Sequence, residues 1–169
     1  ALDGKIKAMY IMGENPVLSD ADITHVVEAL ENLEFLLVQD IFLTETAKLA
    51  DVVLPASAYA ERDGTYTNTE RRVQITELVV VAPGQARRDR EIISDIAAAM
   101  GHPMTNASTA EVNDEMRRLT PSYAGISHAR LEAGARLQWP CLSDDHPGTP
   151  ILHREKFTRG LGQLHPAEY

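Results

Sequence analysis

Two short apolar runs constrain this chain most: Phe-Leu-Leu-Val at residues 35–38 and Val-Val-Leu at residues 52–54. Each is shorter than a buried helix needs and is closed by polar residues or proline, the pattern of a strand buried on both faces. Strands of that kind pair in parallel. Gln39, Asp40 and Thr44 then fall where a parallel sheet presents its carboxyl ends. In open α/β sheets that edge is where ligands bind.

The rest of the chain extends the pattern. Residues 5–12 carry a further apolar run, closed by the turn Gly13-Glu14-Asn15-Pro16. Ser19-Asp20-Ala21-Asp22 resembles a capping box, and Ile23, Val26, Val27, Leu30 and Leu33 follow at helical spacing. The first 40 residues therefore predict a β-turn-α-β unit with a right-handed crossover. Thr44-Glu45-Thr46 predicts the cap of a short helix to Leu49, and residues 51–54 predict a third strand. Residues 65–69 and 73–75 predict an irregular hairpin after the Asp63-Gly64 turn, and residues 78–81 another strand. Asp89 is the expected cap of a helix with Ile92, Ile93, Ile96 and Met100 inward and Gly101 as its stop. Ser108 and Glu111 predict a capping box for a helix burying Val112, Met116 and Leu119, and a brief helix fits residues 129–133.

After that, prolines and glycines interrupt every period. The expected organisation is an α/β domain over residues 1–133, with 134–169 an extended segment laid on it or leading to a neighbour. At 169 residues and 44% apolar, the chain can bury a real core. Its formal charge of −9 argues against nucleic acid, which needs a basic face. No apolar run approaches the roughly 18–20 residues of a membrane span, so no membrane contact is expected. A single cysteine, Cys141, excludes an internal disulfide framework and suits a reducing cytoplasm. The chain opens on Ala1 without an initiator Met, which is expected of a piece cut from a longer polypeptide.

Four places carry candidate binding chemistry, each with a plainer reading beside it. The Gly13-Glu14-Asn15 turn offers close backbone approach and free N–H groups for an anion, or is an ordinary strand–helix turn. It is not a GxGxxG fingerprint. Asp40 suits ribose hydroxyls and Gln39 a base edge or second hydroxyl, or Asp40 merely closes the following turn. Arg62-Asp63-Gly64, with Arg71 and Arg72, suits phosphate because guanidinium matches it bidentately, or is a solvated charged loop. Asp89 caps its helix, or accepts N1–H and N2–H₂ from guanine with its two carboxylate oxygens. Cys141 and the six histidines show no metal-ligand spacing, Asp144-Asp145-His146 reads as a solvated turn, and Ser57 and Ser94 lack a nucleophile elbow. No catalytic or metal-binding residue is assigned.

Taken together, the blocks YIMGENP (10–16), FLLVQDIFLTETAKLADVVLPA (35–56), AERDGTYTNTERRVQ (60–74) and PGQARRDREII (83–93) resemble the molybdopterin oxidoreductase family. The likeness is strongest to formate dehydrogenase catalytic subunits, and EMRRLTPSYAGI (115–126), LQWPC (137–141) and DHPGTPIL (145–152) carry it through the tail. The resemblance implies a Rossmann-like, mostly parallel sheet flanked by helices, holding the guanosine and phosphate end of one of two molybdopterin guanine dinucleotides. It would set Gly13, Glu14 and Asn15 along the nucleotide, Gln39, Asp40 and Thr44 on ribose and guanosine, Arg62 and Gly64 near phosphates, and Asp89 on guanine. It further implies a parent enzyme that oxidises formate to CO₂ at molybdenum or tungsten and passes electrons to 4Fe-4S clusters. The metal ligand and clusters would lie outside this chain, whose partners would be the remaining domains and electron-transfer subunits. The fragment alone would be inactive. Alternatives are a cofactor-free domain of a relative of the complex I large subunit, from which the Asn68–Gln74 run differs, or an independent nucleotide-binding module.

Overall fold

A computed structural model describes residues 1–104 and 107–166. The chain divides into two compact units, Ala1–Asp63 with Thr76–Asn106, and Gly64–Ile75 with Ala107–Tyr169.

The first unit is α/β. Strands β1 (Ala8–Met12), β2 (Phe35–Asp40) and β3 (Val52–Pro55) form a parallel sheet in the order β1-β2-β3. Between β1 and β2 lie a single turn of helix, α1 (Pro16–Ser19), and the amphipathic α2 (Ile23–Glu31). The expected capping box is replaced by Asp22, whose carboxylate accepts from the His25 N–H at 3.1 Å. Thr44 Oγ1 accepts from the Ala47 N–H and starts the turn of 3₁₀ helix at Ala47–Leu49.

Register fixes which side chains share a face. Met9 and Ile11 pair with Leu36 and Val38, and these pack with Leu30, Ala47, Val26 and Leu33 into the first core. Tyr10 and Met12, opposite Leu37 and Gln39, lie on the other face. Beyond β3 a single parallel bridge, Ala56 with Arg87, extends the sheet, with Ser57 N donating to Arg87 O at 2.8 Å. That bridge delivers the chain to α3 (Asp89–Ala99) at the carboxyl end of the strands.

Two expectations fail here. Residues 78–81 form no strand: Val79 and Val80 both donate to the Ala60 carbonyl, which precludes a ladder, and Val79 and Val81 are exposed. Only Ile92 of α3 is fully buried, and Met100 is exposed at the helix end.

β4 (Gly64–Thr67) and β5 (Val73–Thr76), which lie in the second unit up to Ile75, pair as a two-stranded sheet. The unit resumes at Ala107 with α4 (Thr109–Leu119), which carries the expected Ser108/Glu111 capping box, and α5 (His128–Glu132). The buried face of α4 differs from the expected one, because Asn113 is buried while Val112 and Leu119 are exposed. The second core is Val73, Ile126, Leu131, Leu137 and Cys141, so residues beyond 133 supply part of it. Among the described residues no helix is long and apolar enough to cross a membrane.

Candidate functional site at the carboxyl edge of the sheet

β1 ends at Met12 and is followed by Gly13, whose φ of 65° lies in the left-handed region that glycine adopts without strain. Its N–H donates to the Gln39 carbonyl at 2.9 Å, fastening the turn to the central strand. A β-carbon on Gly13 would meet nothing within 4 Å, so the backbone there is open to a ligand.

Asn15 pins this turn to the loop after β2. Its Oδ1 accepts from Thr46 Oγ1 at 2.7 Å and Thr46 N at 3.2 Å, and its Nδ2 donates to Glu45 Oε2 at 2.8 Å. The amide donation holds the Glu45 carboxyl below its usual range. Thr46 is fully buried, and its hydroxyl also accepts from Val17 N. Glu14 is exposed on the same turn.

Gln39 is fully buried in the central strand, and a buried amide needs partners. Nε2 donates to Asp89 Oδ1 at 2.6 Å, and Oε1 accepts from the Tyr10 hydroxyl. The direction is forced: an ionised carboxylate only accepts, so the amide N–H faces Asp89 and the oxygen is left for Tyr10. Register explains the reach, since Tyr10 is one pleat from the residue opposite Gln39 on the same face. Partial desolvation pushes the Tyr10 phenol up, although the residue is 43% exposed.

The second oxygen of Asp89 is ion-paired with Arg62, both side chains about three-quarters buried. Asp63 pairs with Arg88 at 2.8 Å beside it. The Arg62-Asp63 and Arg88-Asp89 dipeptides are thus crossed, each arginine on the other's acid. Asp89 is the first residue of α3 rather than its cap, a position held by Arg88 with no side-chain capping bond. Its carboxylate favours the helix N-terminus electrostatically while its hydrogen bonds go elsewhere.

Other candidates have local duties. Asp40 Oδ1 accepts from Phe42 N at 3.1 Å, closing the turn after β2. Thr44 Oγ1 accepts from Ala47 N at 3.1 Å, at the start of the turn of 3₁₀ helix whose cap position is Thr46. Gly64 opens β4 in the second unit. In that unit Arg71 donates to the Trp139, Thr149 and Pro150 carbonyls, and Arg72 pairs with Glu70 at 2.7 Å, so both are engaged internally. Asp144 pairs with Arg117. Among the described residues no group of three His, Cys, Asp or Glu side chains is placed to hold a metal.

A family profile described as "Molybdopterin oxidoreductase" matches residues 1–99, more than half of the chain. The chain belongs to the molybdopterin oxidoreductase family. It is 51% identical to the F420-dependent formate dehydrogenase subunit alpha of Methanocaldococcus jannaschii, over 97% of this chain and 25% of that one. It is 39% identical to formate dehydrogenase H of Escherichia coli, over 100% of this chain and 24% of the relative. Among solved structures, acetylene hydratase from Pelobacter acetylenicus matches with a TM-score of 0.56 and 26% identity, over 64% of this chain and 15% of that one. The chain spans about a quarter of the length of these two curated relatives.

Membership in the family implies a molybdopterin cofactor, and the residues at this edge suit one. Gln39 and Arg62 each take one acceptor site on Asp89, and an ionised carboxylate offers about four. Its side chain is 25% exposed, so the remaining acceptor capacity can be reached from outside. Together with the open backbone at Gly13, this leaves an acceptor and a close-approach turn on one sheet edge.

Sequence reasoning missed Tyr10, Glu45 and Thr46. Tyr10 could have been found only through the register of β1 on β2. Thr46 carried a signal, being a hydroxyl in a segment otherwise expected to be capped by Thr44.

Proposed function

We propose that this chain is a cofactor-holding domain of a formate dehydrogenase. It binds the guanosine end of a molybdopterin guanine dinucleotide at the carboxyl edge of β1 and β2. The observation that carries this reading is the convergence of Gln39, Asp89 and Arg62, distant in sequence, beside the open Gly13 turn. Asp89 supplies the acceptor for guanine N1–H and N2–H₂, and Arg62 balances its charge. Gly13, Glu14 and Asn15 line the nucleotide, with Asn15 fixed by Thr46. Asp40 and Thr44 serve the ribose, and Gly64 with Arg62 the phosphates.

The bound group supplies the redox chemistry, with molybdenum or tungsten as its metal; formate yields CO₂, a proton and two electrons. This chain contributes binding and orientation. The remaining domains of the polypeptide and electron-transfer subunits, with 4Fe-4S clusters outside this chain, are its partners, and a reducing cytoplasm suits the lone buried Cys141.

The test uses the full-length polypeptide that carries this chain. Acid hydrolysis of the purified protein is expected to release GMP, and formate is expected to drive dye reduction. Asp89→Ala should lower the GMP recovered by about ten-fold or more, in line with loss of a charge-assisted bidentate contact. A protein that reduces dye with formate yet yields no GMP, or an Asp89→Ala protein with unchanged GMP, overturns the reading.

A further inference from the structure

We propose that a small cavity beside Ser57 is a docking socket for one aromatic side chain with a polar tip, Tyr or Trp, carried by the polypeptide outside this chain. This rests on the reading of the chain as one domain of a longer protein, and is independent of which cofactor that protein holds.

Ser57 follows β3, and its N–H donates to the Arg87 carbonyl at 2.8 Å. The residue is 2% exposed, and among the described residues its hydroxyl has no hydrogen-bond partner. Burying a hydroxyl without a partner is unfavourable, so the group calls for one from outside. Ser57 lines a cavity of about 200 Å³, whose apolar walls are Leu78, Val81, Ala82 and Ala86.

The charged side chains around that cavity are already engaged. Arg87 pairs with Asp95 at 2.6 Å, Arg88 pairs with Asp63 at 2.8 Å and lies 3.9 Å from Glu91, and Glu61 accepts from the Ala58 N–H at 2.8 Å. Among the described residues no unpaired charge there is left to draw an ionic occupant. Size decides the rest. Small-molecule and cofactor sites start at roughly 300 Å³, and this cavity is smaller, with room for a single side chain. Apolar walls around one free hydroxyl suit an aromatic with an apolar body and a polar handle. An aliphatic side chain would fill the space and leave Ser57 unpartnered.

The rim indicates what carries that ring. Leu78, Val79, Val80 and Val81 are consecutive and all exposed, Val79 by 78% and Val81 by 89%. They are held in place, because the Val79 and Val80 N–H groups both donate to the Ala60 carbonyl. A contiguous exposed apolar run marks an interaction surface. This chain covers only 25% and 24% of two formate dehydrogenase relatives, so in a protein of that length a covering segment is at hand in the same polypeptide.

The test uses the full-length polypeptide in two arms. In the first, p-benzoylphenylalanine placed at Val81 is irradiated and the linked peptide is sequenced by mass spectrometry. The expected product joins position 81 to a segment of the same polypeptide outside these 169 residues, with Tyr or Trp beside the linked position. In the second, hydrogen exchange at Val79 and Val80 reports how often the run opens. The sign of the Ser57→Ala effect separates a filled socket from an empty one. In a filled socket the variant strands the polar tip of the occupant, and exchange is expected to speed up by about five-fold. In an empty or hydrated one it merely removes a hydroxyl, and exchange stays the same or slows.

Cross-links confined to these residues, to a second copy of the protein or to a segment without Tyr or Trp overturn the proposal, as does the absence of any cross-link. Unchanged or slower exchange in Ser57→Ala overturns it too. GMP release from the same preparations keeps the two readings apart. The expected cross-link without GMP removes the cofactor reading and leaves the socket, whereas GMP without the cross-link does the reverse.

Discussion

Gln39 and Asp89 stand 50 residues apart in the chain and 2.6 Å apart in the fold, amide nitrogen to carboxylate oxygen. The contact joins the central strand to the first turn of α3. It needs both the parallel register of β2 and the bridge between Ala56 and Arg87 that brings α3 back to the sheet.

Replacing Gln39 by Leu is expected to destabilise the protein by about 1–3 kcal/mol. It leaves the Tyr10 hydroxyl without its acceptor and removes one donor from a partly buried carboxylate. Urea unfolding reads this directly; an unchanged midpoint would show that the amide contributes nothing to the fold.

Asn15→Ala removes the acceptor from Thr46 and the donor from Glu45. The folded Glu45 pKa is lowered, chiefly by the Asn15 amide, so its stabilising share is present above the ordinary carboxylate value of about 4.3. That share is lost as pH falls through the lowered folded value. In an NMR titration, Glu45 of the variant should move up toward the ordinary range, and the acid side of the stability profile should flatten in that window.

Gly125 has no room for a side chain: a β-carbon would lie 1.9 Å from the Ser143 carbonyl oxygen and 2.7 Å from Cys141 Sγ. Gly125→Ala is expected to cost about 3 kcal/mol, the upper end for overpacking. Gly64→Ala, with nothing within 4 Å of the new carbon, should stay within about 0.5 kcal/mol. Comparable thermal midpoints for the two would contradict this.

Arg71 has a positive φ, and its guanidinium donates to three carbonyls, including Thr149 at 2.8 Å and Pro150 at 2.9 Å. Arg71→Lys keeps the charge and the backbone strain but loses the planar fork. A loss of about 1–3 kcal/mol is expected, with faster hydrogen exchange around residues 139–150. Exchange rates like those of wild type there would assign the second unit's stability to its apolar core instead.

The strands and helices were largely legible because each is announced by a local pattern, and Ser108 with Glu111 shows how well two residues mark a helix start. Faces were less legible. On α4 the apolar stripe through Val112 and Leu119 is exposed while Asn113 is buried, since periodicity says which positions share a side but not which side meets a neighbour. Residues 78–81 look like a strand by composition, yet two of their N–H groups converge on one carbonyl. By its place in the sequence Asp89 is first of all a cap. Its carboxylate turns instead to Gln39 and Arg62, partners that only folding supplies.

The amino-acid sequence by itself determined the family, the succession of strands and helices, and the edge where the polar candidates gather. These follow from short-range patterns and from blocks whose order is specific. Only the tertiary structure decided that Tyr10, Gln39, Asp89 and Arg62 form one connected chain. Hydrogen bonds and ion pairs depend on positions to within a fraction of an ångström, and those positions come from strand register and the return of α3 to the sheet, neither of which is written in any local stretch.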